Sequence, residues 1–238
     1  RDRVNMDTIK FAKVRENAII PSKDVENAGY DIYGIFEGNN DENRIVKPHT
    51  TKLIPTGIAC ALPSKYYFQV EERGSTGSKG IKKSAGVIDS GYRGEIFIAI
   101  TNSTNNYLVF GDKDSYIAEA KAELQKWQNI DENNMTDEDK ISLEEALVKS
   151  IGEESYNNLE DNVKEDCLKE LVKLIKHPAS TEEFESNLQT AIFYPDTKAI
   201  AQLVLHEVPV VNIEEISYED LKKIPSERMD GKLGSSGK

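Results

Sequence analysis

Cysteine, histidine, methionine and tryptophan are all scarce in this chain. Its 238 residues hold two cysteines, three histidines, three methionines and one tryptophan. Cys60 and Cys167 stand far apart with no ligand-type neighbours, which excludes a disulfide-stapled scaffold and a cysteine-rich zinc site. Both are expected to be free thiols. His49, His177 and His206 are isolated, so no histidine is assigned to chemistry. No apolar run approaches the roughly 18 residues that a membrane-spanning helix needs, and no signal-peptide pattern is visible. The expectation is a cytoplasmic protein with no membrane partner. Positive charge is in deficit, with 30 Lys+Arg against 42 Asp+Glu and a net charge of −12. Such a chain is poorly suited to gripping nucleic acid by its phosphates, so no direct nucleic-acid binding is expected.

The deficit is local. Asp112 to Ile192 holds 21 acidic and 9 basic residues, so the remainder of the chain is neutral. That segment reads as a separate module. Before it, residues 7 to 111 read as short strands broken by turn signals. Ile45-Val46, Leu53-Ile54, Tyr66-Tyr67-Phe68-Gln69-Val70 and Glu95 to Ile100 are the clearest, and the pattern suggests a sandwich or barrel. At Asp112 the period changes. Ile117, Ala120, Leu124 and Trp127 recur at helical spacing. Thr136-Asp137-Glu138-Asp139 resembles a capping box opening a second helix. Tyr156, Leu159, Val163, Cys167, Leu171, Leu174 and Ile175 form a third stripe, ended by His177-Pro178. Ser180-Thr181-Glu182-Glu183 reads as the cap of a last helix. These helices should pack as a small bundle. β patterning returns at Ile192-Phe193-Tyr194, with strands expected at Leu203-Val204-Leu205 and Val208 to Val211. A single helical turn is expected over Tyr218 to Lys223.

Five polar segments carry the chemistry. Ala28-Gly29-Tyr30-Asp31 offers a carboxylate. Arg73-Gly74-Ser75-Thr76-Gly77 is a basic, glycine-rich loop whose backbone N–H groups suit phosphate oxygens. Its spacing is not that of a Walker A loop, and no helix is evident after it. Gly86-Val87-Ile88-Asp89-Ser90-Gly91-Tyr92-Arg93-Gly94 places a second carboxylate beside an aromatic ring. Ala201-Gln202-Leu203 sets a lone glutamine in an apolar strand. Arg228 precedes the run Leu233-Gly234-Ser235-Ser236-Gly237. Together these supply what is needed to hold a metal-bound polyphosphate and activate water against it.

In this order, the five segments resemble the trimeric dUTPase (dUTP pyrophosphatase) family, and the inserted segment resembles phage-type members. The resemblance implies a mainly β, dUTPase-like barrel or jelly roll formed by residues 7–111 and 192–225. A small α-helical domain would be inserted at 112–191, and a mobile arm at 226–238 would close the active site. It implies Mg²⁺-dependent cleavage of dUTP to dUMP and pyrophosphate by a homotrimer with shared sites. Asp89 would activate the water, and Arg228 would reach the γ-phosphate. Asp31 and Gln202 would hold Mg²⁺ through water, Gln202 also touching phosphate. Arg73, Gly74 and Ser75 would meet the phosphates, with Gly74 standing where the common pattern has serine. Backbone around Gly86, Val87 and Ile88 would read uracil, and Tyr92 would pack on the deoxyribose. Leu233 takes the place of a stacking phenylalanine, beside Gly234, Ser235 and Ser236. The alternative is a regulator acting through residues 112–191, which could bind a repressor protein as some phage members do. The related dCTP deaminase is favoured less, because the Arg228 arm and the Val87-Ile88-Asp89 segment match the pyrophosphatase.

Overall fold

A computed structural model describes residues 7–38 and 41–226. The chain divides into two compact units, Arg1–Glu207 and Val208–Lys238. The first begins with six strands: β1 (Lys10–Lys13), β2 (Gly29–Ile32), β3 (Ile45–Val46), β4 (Thr51–Pro55), β5 (Ile58–Ala61) and β6 (Tyr66–Glu71). One helical turn, α1 (Gly74–Gly77), follows. Then come β7 (Ile81–Lys83), β8 (Val87–Ile88), β9 (Phe97–Asn102) and β10 (Leu108–Phe110). Five helices come next: α2 (Lys113–Gln128), α3 (Asp137–Ile151), α4 (Glu153–Asn157), α5 (Asp161–Lys176) and α6 (Pro178–Thr190). β11 (Ile192–Tyr194) and β12 (Ala201–Glu207) complete the unit. The architecture is mainly β with a helical insertion, in line with the sequence reading.

The strands form small sheets ordered β2-β12-β6-β8, β4-β9-β7, β11-β10-β3 and β1-β5. Side chains alternate across a strand, and the burial follows. Phe68 and Val70 of β6, Ile98 and Ile100 of β9, and Ala201 and Leu203 of β12 point into one core with Ile32, Ile54, Ile58, Phe110 and Tyr194. Gln202 therefore faces away from that core, and so does Asp31, its register partner on β2. β10 and β11 pair in parallel. Parallel neighbours cannot be joined by a tight turn, and here the crossover is the whole helical segment.

The base of that segment is tied closely. The Gly111 N–H donates to the Tyr194 carbonyl at 2.9 Å, and the Ile192 N–H donates to Tyr107 at 2.8 Å. Arg44, buried beneath, donates to the Phe110 carbonyl and to Asp196 Oδ2, each at 2.7 Å. The helices have their own core of Ile130, Leu143, Leu168 and Val172, with Trp127, Met135, Leu147, Leu171 and Ile175 against it.

Several local expectations are revised. The third stripe is two helices, broken between Asn157 and Asp161. The buried positions of α5 are Leu168 and Val172, while Leu174 and Val163 are exposed. The last helix starts at Pro178, not at Ser180. The His177 ring caps it by accepting from the Ala179 N–H, and proline suits the first turn because its missing N–H would be unpaired there. In the second unit, α7 (Tyr218–Lys223) is capped by the Ser217 hydroxyl. No strand forms over Val208–Val211. Pro209 has no N–H to give a ladder, and Val210 is almost fully exposed. Cys60 and Cys167 are free thiols. Among the described residues no helix is long and apolar enough to cross a membrane.

Candidate functional site

The register of β2 against β12 sets Asp31 opposite Gln202 and Gly29 opposite Val204. Gly29 lies diagonally against Gln202. A Cβ on Gly29 would sit 2.6 Å from Gln202 Oε1 and 2.8 Å from its Cβ. This is a position where the absence of a side chain is required by close approach. Gln202 is oriented from its other end, where Nε2 donates to the Glu72 carbonyl at 2.9 Å.

Arg73 arrives from the end of β6. The expected loop after it is in fact the single helical turn α1, for a local reason. The buried Thr76 hydroxyl accepts from the Arg73 N–H at 3.1 Å and donates to the Arg73 carbonyl at 2.9 Å. These bonds fold the chain back on itself and aim the Arg73 side chain. Its guanidinium meets the Asp31 carboxylate with two prongs, Nε to Oδ1 at 3.1 Å and Nη2 to Oδ2 at 3.2 Å. That fork geometry is specific to arginine. Nη1 donates to the Ala199 carbonyl at 3.2 Å.

These groups enclose a polar cavity of about 400 Å³, lined by Asn27, Ala28, Gly29, Asp31, Arg73, Gly74, Ser75 and Gln202. It gathers three of the five polar segments. Its lining offers one guanidinium, one carboxylate, the side-chain amides of Asn27 and Gln202, the Ser75 hydroxyl and the first N–H groups of a helical turn, which lack intrahelical acceptors. Tyr194 stands behind it and was not singled out from sequence. Its hydroxyl is 3.2 Å from Ser75 Oγ and 2.8 Å from the Ala199 carbonyl. Nothing in the apolar run Ile192-Phe193-Tyr194 distinguishes this ring from ordinary core.

The Asp89 segment forms a different cavity of about 240 Å³, lined by Val87, Ile88, Asp89, Tyr92, Ile96 and Phe97. β8 pairs with β6, Phe68 opposite Ile88 and Gln69 opposite Val87. The alternation buries Ile88 and leaves Val87 and Asp89 outside. The Tyr92 N–H closes a turn on the Asp89 carbonyl at 3.1 Å. The Tyr92 hydroxyl donates to the Glu95 carbonyl at 2.8 Å, which lays the ring over Gly94. Gly86 lines neither cavity. Its carbonyl accepts from Val70 N–H at 2.7 Å, and a Cβ there would collide with Gln69 Nε2 at 2.5 Å. The two cavities share no lining residue within one chain. Val87, Tyr92 and Phe97 remain substantially exposed. Arg228, Leu233, Gly234, Ser235 and Ser236 lie outside the described residues.

Similarity to known proteins falls on the same segments. A sequence profile of the dUTPase family matches residues 15–115. The deoxyuridine 5'-triphosphate nucleotidohydrolase of Leptospira interrogans is 35% identical over 94 residues, 38% of this chain and 62% of that protein. The matched stretch is thus less than two thirds of that relative's length. The same-named protein of Orientia tsutsugamushi strain Boryong is 34% identical over 125 residues, 48% of this chain and 77% of that one. Among solved structures, the Staphylococcus bacteriophage 80alpha dUTPase aligns over 97% of this chain and 99% of its own with a TM-score of 0.52. At 17% identity that likeness concerns the fold, and it spans the helical segment as well as the strands.

Proposed function

The chain belongs to the dUTPase family, and from that membership we propose that it hydrolyses dUTP to dUMP and pyrophosphate. The observation that carries the reading is the convergence of Asp31, Arg73, Gly74, Ser75 and Gln202, from separate stretches of sequence, on one polar cavity. Arg73 and the N–H groups of Gly74 and Ser75 suit phosphate oxygens. Among the described residues no three His, Cys, Asp or Glu side chains cluster to ligate a metal. A single carboxylate and an amide oxygen instead fit Mg²⁺, which keeps most of its waters and is held largely by substrate phosphates. Bound there, Mg²⁺ would supply charge neutralisation on the phosphates. Asp31 and Gln202 would accept hydrogen bonds from its water shell.

Asp89 would take the proton of a water that attacks the α-phosphorus in line. The bond from the α-phosphorus to the oxygen bridging it to the β-phosphorus breaks, and pyrophosphate leaves. Tyr92, which already covers Gly94, would pack on the deoxyribose. The Gly86-Val87-Ile88 backbone would read the base. Arg228 would stabilise the γ-phosphate, with Leu233 and Gly234 to Ser236 covering the nucleotide. Asp89 lines a different cavity from Arg73, and the reading joins the two cavities from different copies of the chain. A homotrimer with each site built across subunits meets that need. Pyrophosphate release from dUTP, dCTP, dTTP and UTP, with and without Mg²⁺, tests the reading. Release confined to dUTP with Mg²⁺ supports it. Ammonia release from dCTP would move the chain to the deaminase chemistry, and no turnover would remove the activity.

The helical segment supports a second, compatible reading as a docking module for a basic protein such as a repressor. An apolar cavity of about 360 Å³ opens among the helices, lined by Tyr116, Leu124, Trp127, Leu171, Ile175 and Phe184 beside Glu119 and Glu123. The segment around it carries the whole net negative charge. Trp127 is the single tryptophan, so its fluorescence reports occupancy directly. Titration with a basic amphipathic helical peptide should shift that emission and saturate. An unchanged spectrum counts against docking there.

A further inference from the structure

We infer that Tyr194 is a positioning residue for the polar cavity: its hydroxyl turns Ser75 into a hydrogen-bond acceptor facing the ligand's metal-bound water. The inference rests on the hydrolase reading for the identity of the ligand, but its geometry stands independently. Tyr194 is 1% exposed. Its hydroxyl has one proton and two neighbours, the Ala199 carbonyl at 2.8 Å and Ser75 Oγ at 3.2 Å. A carbonyl only accepts, so the tyrosine proton goes to Ala199. The contact with Ser75 is then made by the serine proton, donated to the tyrosine oxygen. Ser75 therefore shows the cavity its lone pairs and not its proton.

Further contacts make the arrangement firm. The Ala199 carbonyl also accepts from Arg73 Nη1 at 3.2 Å, so both of its acceptor directions are used. Arg73 is held on its other side by Asp31. The tyrosine itself is pinned by its backbone, whose carbonyl accepts from Gly111 at 2.9 Å, and by its ring, which sits edge-on to Phe110 at 6.1 Å. An acceptor oxygen at Ser75 is badly matched to a bare phosphate oxygen, which also accepts. It is well matched to a water polarised by a divalent cation. Asp31, Gln202 Oε1 and Ser75 Oγ then form one set of acceptors for a hydrated cation, while Arg73 and the backbone N–H groups face the anion.

The test measures binding of inorganic triphosphate in saturating Mg²⁺ by calorimetry, with melting temperature alongside. The proteins are the full chain, Tyr194→Phe, Ser75→Ala and the double variant. Tyr194→Phe keeps the ring, and Ala199 keeps its bond to Arg73, so folding is preserved. Each single variant is expected to weaken binding about three- to tenfold, the weight of one hydrogen bond. The double variant should lose no more than Ser75→Ala alone, because Tyr194 acts only through the Ser75 hydroxyl. Losses that multiply, or a Tyr194→Phe protein that binds like the full chain, overturn the inference. So does a full chain that binds no triphosphate. Pyrophosphate release from dUTP, run on the same samples, separates the two readings. Binding that follows the expected pattern in a protein with no turnover retires the hydrolase and keeps the positioning role.

Discussion

Gly29→Ala is the sharpest single-atom perturbation the fold offers. Gly29 lies in β2 without a left-handed backbone, so alanine brings no conformational strain. What it brings is a methyl group 2.8 Å from Gln202 Cβ and 2.6 Å from Oε1, where ordinary contact begins near 3.4 Å. The Oε1 clash can be relieved by rotation. The Cβ clash cannot, so β2 and β12 must separate by at least about 0.6 Å. Overpacking of this kind costs about 1–3 kcal/mol, which lowers the melting temperature by about 2–12 °C in a unit of this size. The same shift carries Gln202 and its register partner Asp31 off the cavity wall. Displacements approaching 1 Å cost on the order of 10²-fold in rate. The assay is kcat/KM for dUTP together with thermal unfolding. Gly29→Ala/Gln202→Gly removes the Cβ and with it the collision, so it should regain part of the lost stability without regaining activity. A Gly29→Ala protein with normal kcat/KM would refute the assignment of this cavity to the reaction.

Asp89→Asn should abolish pyrophosphate release and leave the melting temperature within about 2 °C, because an exposed isosteric change away from packed groups costs little. Arg44→Met should destabilise the first unit by about 3 kcal/mol, since it strands the carbonyl of Phe110 and the carboxylate of Asp196. Denaturant unfolding followed by circular dichroism checks it, and a loss below about 1 kcal/mol would contradict the buried-clamp reading. Acid should loosen the helical segment. Asp139 is held below the usual carboxylate range by the Thr136 hydroxyl and N–H, and Asp112 by the backbone and side chain of Ser115. Each depressed carboxylate gives stability that is present above its unfolded-state value and lost as pH falls through its lower folded-state value. Helical signal should therefore drop at pH values below the ordinary aspartate range, and Asp139→Asn should drop less over that window. A variant that titrates like the parent would remove the cap as the cause.

The strands were legible because their signals are local. Tyr66 to Val70 and Ile192 to Tyr194 alternate or run apolar, and they sit where the chain places β6 and β11. The Thr136 capping box marked the start of α3 to the residue. Failures came where a tertiary or side-chain partner decides the conformation. The Arg73 loop is a helical turn because a buried threonine bonds back to it, and glycine content alone suggests the opposite. The last helix starts early because a histidine ring can cap as well as serine can. Val208 to Val211 has strand composition but finds no ladder, and proline interrupts it. At the site, residue types pointed to Asp31, Arg73 and Gln202. Their convergence depends on the register of β2 against β12, which no local pattern encodes. Tyr194 was invisible for the same reason: its hydroxyl matters only because α1 carries Ser75 to it.

Subunit complementation addresses the proposal that Asp89 and Arg73, which line separate cavities in one chain, serve one reaction across copies. Arg73→Ala and Asp89→Asn proteins, each inactive alone, are unfolded together and refolded as a mixture. Sites built across copies should return roughly a quarter of the parent rate of pyrophosphate release, the statistical share that receives one intact half from each neighbour. A mixture as inactive as its components would contradict it.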